Sequence, residues 1–134
     1  MAETGRTVVI TGASSGFGAA AVRAFADRGD RVWGTMRDAG GRNAGKKAEL
    51  EAYSPRIAIA EMDVTSDASV TEGFARILAE GPVDILINNA GIMYIGMTEA
   101  YSIDQARAQM DTNYFGAIRA MQAVLPSMRA KGAG

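Results

Sequence analysis

The chain has 134 residues, 14 of them basic and 15 acidic, for a net charge of −1, and it contains no cysteine and no histidine. That length suits one domain burying roughly two-thirds of its unfolded surface, and the balanced charge offers no global field for nucleic acid or an anionic membrane. Without cysteine or histidine there is no disulfide framework, no usual zinc ligand set, hence no metal site expected, and no Ser-His or Cys-His nucleophile. At the N-terminus, Met1–Arg6 lacks an apolar core of signal-peptide length. No apolar run approaches the ~20 residues of a membrane span, so a soluble cytoplasmic protein is the expectation. The first predicted strand, Thr7–Thr11, runs straight into Gly12-Ala13-Ser14-Ser15-Gly16-Phe17-Gly18 and an alanine-rich helix from about Ser15 to Arg28. Strand, glycine turn and helix in that order make a phosphate cradle. Glycines let the backbone pass close to a pyrophosphate, and the N–H groups of the helix start point at its oxygens. The spacing Gly-x-x-x-Gly-x-Gly differs from the commoner Gly-x-Gly-x-x-Gly dinucleotide pattern. Phe17, Ala20, Ala21, Ala24 and Phe25 are expected on one side of this helix, packed on the sheet, with Gly29 as its stop.

Arg31–Met36 reads as a second strand, followed by a polar loop over Arg37–Lys47 and a short helix near Lys46–Tyr53. Pro55 ends that helix by disfavouring helical backbone at Ser54. Arg56–Met62 is a third strand, and Asp63–Ser66 a turn with Thr65 or Ser66 as N-cap. Val70, Phe74, Ile77 and Leu78 then form the single apolar stripe of a helix that Gly81-Pro82 ends. Val83–Asn88 is a fourth strand and Asn89-Ala90-Gly91 a turn. The last helix opens on the capping box Ser102-x-x-Gln105 and carries Met110, Tyr114, Ala117, Met121, Val124, Leu125 and Met128 on its apolar side. Pro126 is expected to kink or fray it, and Lys131–Gly134 to stop it. Strands separated by helices, without hairpin turns, imply an α/β fold with a parallel sheet covered on both faces. In such a doubly wound sheet the first and fourth strands are neighbours, so Gly12–Gly18 and Asn88–Gly91 should face each other across one crevice.

These motifs in order, Thr11-Gly12-Ala13-Ser14-Ser15-Gly16-Phe17-Gly18, Asp63-Val64, Asn88-Asn89-Ala90-Gly91 and Asn113 in Asp111-Thr112-Asn113-Tyr114-Phe115-Gly116, resemble the short-chain dehydrogenase/reductase family. Phe17 stands where that family usually has Ile or Leu. The resemblance implies a Rossmann-type doubly wound parallel sheet, truncated after the fourth strand and its following helix. Residues 1–134 would then be one NAD(P)-binding domain, incomplete at its C-terminal side. It implies that Gly12, Ser14, Ser15, Gly16, Phe17 and Gly18 line the cofactor phosphates, that Asp63 and Val64 hold the adenine, and that Asn88, Ala90 and Gly91 lie along the nicotinamide-side ribose. Asn113 matches the family's catalytic asparagine, which positions a water in a proton relay.

One departure bears on mechanism. The family's chemistry needs a Tyr-x-x-x-Lys pair and a serine on the strand before it. Here Tyr53, Tyr94, Tyr101 and Tyr114 are followed four positions on by Ile57, Thr98, Gln105 and Ile118. The expectation is the cofactor-binding half of a carbonyl reductase or alcohol dehydrogenase, with negligible turnover by itself. Its partners would be a dinucleotide and a small carbonyl or alcohol substrate, without nucleic acid or membrane. For cofactor choice, a carboxylate at the tip of the second strand would hold the hydroxyls of NAD ribose and repel a 2′-phosphate. The sequence there is Thr35-Met36-Arg37-Asp38, and Arg37 can fork onto a phosphate, which favours NADP over NAD. Asp38 beside it would reverse the argument if it occupied the tip instead.

Plainer readings stand beside these. The glycines alone fit any tight strand-to-helix turn, Asp63 an ordinary turn, Asn88 and Asn89 the satisfying of backbone groups at the end of a buried strand, and Arg37 a solvated charge. Asn113 without its tyrosine and lysine partners reads as structural. Met93 and Met97 read as pocket or core filler. Gly16-Phe17-Gly18 supplies no lysine for a P-loop, and Met36-Arg37 does not suit a methyltransferase. The rival reading is a non-catalytic dinucleotide-binding or interaction module that acts with a partner chain. The fourth strand, as a largely apolar edge, and the last helix are expected to favour self-association.

Overall fold

In a strand, β-branched neighbours point to opposite sides of the sheet, and here both sides are covered. The computed structural model describes residues 5–134; Met1–Thr4, part of the segment read above for a leader, lie outside the described residues. Strands β1 (Thr7–Ile10), β2 (Arg31–Met36), β3 (Ile57–Glu61) and β4 (Ile85–Ile87) form one parallel sheet in the order β3-β2-β1-β4. The helices are α1 (Gly16–Asp27), α2 (Ala44–Tyr53), α3 (Asp67–Ala79), α4 (Ile103–Met110) and α5 (Gly116–Lys131). Val8 and Ile10 pack with Val22, Ala26 and Leu50 of α1 and α2. Val9, between them, packs on the opposite face with Val70, Phe74, Ala120 and Val124 of α3 and α5. The sheet is thus doubly wound, and β1 pairs β4 with Val8 opposite Ile85, so the expected adjacency holds.

The elements stop where their chemistry says they should. At the end of α1, Gly29 has φ +92° and its N–H reaches Ala26 O, while the Asp30 N–H reaches Phe25 O, the two bonds of a Schellman stop. Ser66 caps α3 by accepting from the Ser69 N–H, and Ser102 and Gln105 make both bonds of the capping box on α4. Ser54, before Pro55, is extended at φ −156°, ψ 140°.

Four expectations need correcting. The buried row of α1 is Gly18, Val22 and Ala26; of the five residues expected there, Ala21 and Phe25 pack partly buried against the core, while Phe17 is 89% exposed and Ala20 and Ala24 face solvent. Small residues at i, i+4 and i+8 let α1 lie close on the sheet, and size at that row outweighed apolarity elsewhere. The last helix is two helices, because a π-helical turn at Asp111–Phe115 separates α4 from α5. Its buried row is Gly116, Ala120, Val124 and Met128, whereas Met110, Tyr114, Met121 and Leu125 are exposed. Finally, α5 does not fray at Pro126 but continues to Lys131 and ends at left-handed Gly132, φ 73°.

β4 is shorter than the predicted Val83–Asn88, and at its start a side chain takes one of the two bonds to β1. The Asp84 N–H donates to Thr7 O, and the Asp84 carboxylate accepts from the Thr7 N–H at 2.8 Å and from the Lys131 ammonium. The lysine first, then the Thr7 N–H, hold the Asp84 carboxyl below its ordinary value against partial burial. Because the folded pKa is the depressed one, this contribution is present above the unfolded value and is lost as pH falls through the folded value. Asp84→Asn is therefore expected to cost about 1 kcal/mol near neutral pH and to flatten the acid limb of a denaturation-versus-pH profile. An unchanged acid limb would remove this account.

Candidate functional site

The crevice lies at the carboxyl ends of β1, β2 and β3 and encloses about 560 Å³. The β1–α1 turn contributes Gly12, Ser14 and Ser15, and the loop after β2 brings Arg37, Arg42 and Asn43. Asp63 and Val64 come from the loop after β3, and Asn89, Ala90, Gly91 and Ile92 from the turn after β4.

Its floor is a staple between the two turns. Thr11 is 1% exposed, and its Oγ1 accepts from the N–H groups of Asn89 (3.1 Å) and Ala90 (3.0 Å). In return Asn89 Nδ2 donates to the carbonyl oxygens of Thr11 and Gly12, each at 3.0 Å. The closeness this creates explains Gly12. Its φ is +69°, and a Cβ there would meet Ala90 Cα at 2.7 Å. Gly18 lies under the same staple, where a Cβ would overlap Gly12 O and crowd Asn89 Nδ2.

The amino-terminal end of α1 is open. Gly16 has φ +57° with nothing within 4 Å of an added Cβ. Ser15 is in extended conformation and makes no side-chain cap bond, and no acidic residue occupies the first turn. A serine at the N-cap ordinarily occupies one of the free N–H groups, as Ser66 and Ser102 do on α3 and α4. Leaving them free suits an anion at the positive end of the helix dipole. Asn43 likewise makes no cap on α2; its Nδ2 donates to Arg37 O at 2.6 Å.

Asp63 is fixed by its neighbours. Its Oδ1 accepts from Thr65 N–H (2.9 Å) and Thr65 Oγ1 (2.7 Å), and its own N–H donates to Ser69 Oγ at 2.8 Å. Partial burial acts to raise its pKa, but the two Thr65 bonds and the fields of Arg37 and Arg119 outweigh it, and the carboxyl stays below its ordinary value. It is an ionised acceptor at neutral pH. Asn113, in the π-helical turn, does not line the crevice but braces Ile92, which does. Its Oδ1 accepts from Ile92 N–H (2.8 Å) and its Nδ2 donates to Ile92 O (2.7 Å), which fixes the path of the chain leaving β4. Arg119 ties the same turn to α3 by pairing with Asp111 and Asp67, and its Nη1 donates directly to Val64 O.

Of the predicted site residues, Gly12, Ser14, Ser15, Arg37, Asp63, Val64, Ala90 and Gly91 come together on this crevice. Gly16 and Phe17, in the first turn of α1, are not among its lining residues: Gly16 lines a neighbouring hollow between α1 and α2, Phe17 is exposed, and Gly18 is buried. Asn88 and Asn113 share a separate niche of about 20 Å³ behind the crevice. The plainer reading of Asn89, satisfying backbone groups at the end of a buried strand, is what its bonds to Thr11 O and Gly12 O show; Thr11, at the start of the glycine motif, has no role assigned to it by sequence. Sequence reasoning also missed Arg42 and Asn43, which nothing in the local pattern distinguishes from other loop residues. An extended anion with a polar end group fits this set: free N–H groups, a backbone held close by Gly12, two arginines, and an ionised acceptor at one end.

Comparison with known proteins agrees with the geometry. The family model described as short chain dehydrogenase matches residues 6–134. The chain is 41% identical to retinol dehydrogenase 8 of Bos taurus, over 100% of this chain and 44% of that protein. Among solved structures it superposes on a short-chain dehydrogenase from Streptomyces avermitilis with TM-score 0.89 and 36% identity, covering 100% of this chain and 48% of the other. A gluconate 5-dehydrogenase from Burkholderia cenocepacia, solved in complex with NADP and tartrate, gives TM-score 0.88 and 30% identity over 98% of this chain and 52% of its own. The chain therefore spans about half the length of the proteins it matches.

Proposed function

The chain belongs to the short-chain dehydrogenase family, and from that premise we propose that its crevice holds a nicotinamide dinucleotide, NADP in preference to NAD, for carbonyl reduction or alcohol oxidation. A bound nicotinamide supplies the hydride chemistry; the protein's part is placement and electrostatics. The backbone N–H groups at the start of α1, with Ser14 and Ser15, take the pyrophosphate. Asp63 and Val64 take the adenine, and Ala90 and Gly91 flank the nicotinamide-side ribose. Asn88 and Asn113 lie behind that end, and the Asn113 clamp on Ile92 holds the wall in place. The observation that carries the reading is the uncapped helix start facing Asn89 and Ala90 across a staple that permits no side chain at Gly12.

NADP is favoured by Arg37, which follows the tip of β2 on the crevice wall, and the solved relative with NADP supports the same choice. Arg37→Glu is expected to weaken NADP binding by about tenfold or more, since a charge-assisted contact is replaced by repulsion. Affinity for NAD should change by less than about threefold. Calorimetric titration of wild type and variant with both dinucleotides decides it, and equal losses for the two would overturn the preference. A phenol beside a lysine is the family's proton donor, and no tyrosine here has lysine four positions on, so we expect negligible turnover from this chain by itself. The half-buried edge strand β4 and the exposed Met121 and Leu125 of α5 support self-association, which sedimentation over a wide concentration range tests. No helix among the described residues is long and apolar enough to cross a membrane.

A further inference from the structure

Asp38 poses a question that its position alone does not answer: an acidic residue one step beyond Arg37 would be expected to compete for a ribose. The backbone turns it elsewhere. Asp38 has φ +48°, the only non-glycine residue with positive φ among the described residues. Aspartate tolerates the left-handed region better than most side chains, and here the conformation is locked from three sides. The Asp38 carbonyl accepts from the N–H groups of Gly41 (3.2 Å) and Asn43 (3.0 Å), and its Oδ2 accepts from the Arg42 N–H at 2.9 Å. The side chain of Asn43 then closes the loop on Arg37 O. Arg37, Arg42 and Asn43 line the crevice, and Asp38 does not. Gly41 belongs to the same arrangement, because a Cβ on it would run into the Asp38 carboxylate.

We propose that Asp38 is a positioning residue for cofactor choice. Its carboxylate is committed to the backbone of the 38–43 turn, and the turn it folds sets Arg37, Arg42 and Asn43 on the crevice wall where a phosphate-bearing ribose would lie. The negative charge that would otherwise oppose such a phosphate is thereby directed into the loop. This inference rests on the dinucleotide reading above and adds to it the device that sets the preference.

The test is titration of the whole chain with NADP and NAD, and with 2′,5′-ADP and ADP to isolate the adenosine end. Asp38→Ala is expected to lower NADP and 2′,5′-ADP affinity by about tenfold, the size of one lost charge-assisted contact, while NAD and ADP change by less than about threefold. Gly41→Ala, which displaces the carboxylate from the other side, should reproduce that pattern. Asp38→Asn retains an oxygen acceptor for the Arg42 N–H and should restore the wild-type preference. A role in overall folding alone would lower all four affinities together, and NAD binding thus serves as the internal control. If Asp38→Asn weakens NAD instead and strengthens NADP, the carboxylate faces the ribose and the inference is wrong. It is equally wrong if Asp38→Ala leaves every affinity unchanged. Wild-type protein that binds neither dinucleotide sinks the parent reading and this one with it, whereas normal wild-type binding with an unshifted Asp38→Ala sinks only this one.

Discussion

Gly12→Ala should weaken dinucleotide binding by more than about 100-fold and destabilise the fold by about 3 kcal/mol, the combined cost of a strained backbone and an overpacked contact. Two separate demands meet at this residue. Its φ of +69° is unfavourable for a side chain, and a Cβ would stand 2.7 Å from Ala90 Cα and 3.1 Å from Ala90 Cβ. Neither neighbour is the flexible end of a side chain, so relief requires the two turns to separate and the crevice floor to open. Gly16 separates the two demands. It has a comparable φ of +57° but nothing within 4 Å, so Gly16→Ala carries only the backbone strain, about 1 kcal/mol. Denaturant midpoints and calorimetric titrations on both variants check this. Equal destabilisation by the two would mean that close approach at Gly12 contributes nothing.

Thr11→Val should cost about 2–4 kcal/mol even though the two side chains have nearly the same shape. The hydroxyl oxygen accepts two backbone N–H groups, from Asn89 and Ala90, in a place that is 1% exposed. Replacing it with a methyl leaves both donors without a partner, and each orphaned buried donor costs about 1–3 kcal/mol. Thr11→Ser keeps the oxygen and loses only a methyl group, a cost of about 1 kcal/mol. The contrast between the valine and serine variants, measured by denaturant unfolding, isolates the hydrogen bonds from the packing. A valine variant as stable as the serine one would show that Asn89 and Ala90 find other acceptors.

How much of this was readable beforehand depended on whether the information was local. β2 matched its predicted span because Arg31–Met36 is bounded by the stop after Gly29 on one side and the polar Arg37–Lys47 run on the other. The capping box at Ser102 and Gln105 was legible for the same reason, as a pattern completed within four residues. The burial of α1 was not, because which face packs depends on how closely the sheet approaches. The row Gly18, Val22, Ala26 is the buried one, and at Gly18 the approach leaves no room for a Cβ. The π-helical turn was equally hidden. Nothing in Asp111-Thr112-Asn113-Tyr114-Phe115 punctuates a helix, and the turn is held by partners far along the chain, Ile92 for Asn113 and Asp67 for Arg119. In the crevice, Gly12, Arg37 and Asp63 could be picked out by type and place. That Asn89 satisfies backbone groups was legible at a strand end, but its partners were not, since carbonyls 77 and 78 positions away leave no local trace.

The same long reach has a kinetic consequence. β2 joins β1 and β3 across short stretches of chain, but Val8 meets Ile85 only after two further strands and three helices have been threaded between them. Closing so large a loop is the slow step in building a parallel sheet. Both ends of that seam, the Asp84 bond to Thr7 and the staple at Thr11, hold across it. The groove therefore takes shape only with the last strand to dock, and a transient release of that strand would dissolve the groove while β1, β2 and β3 remain paired.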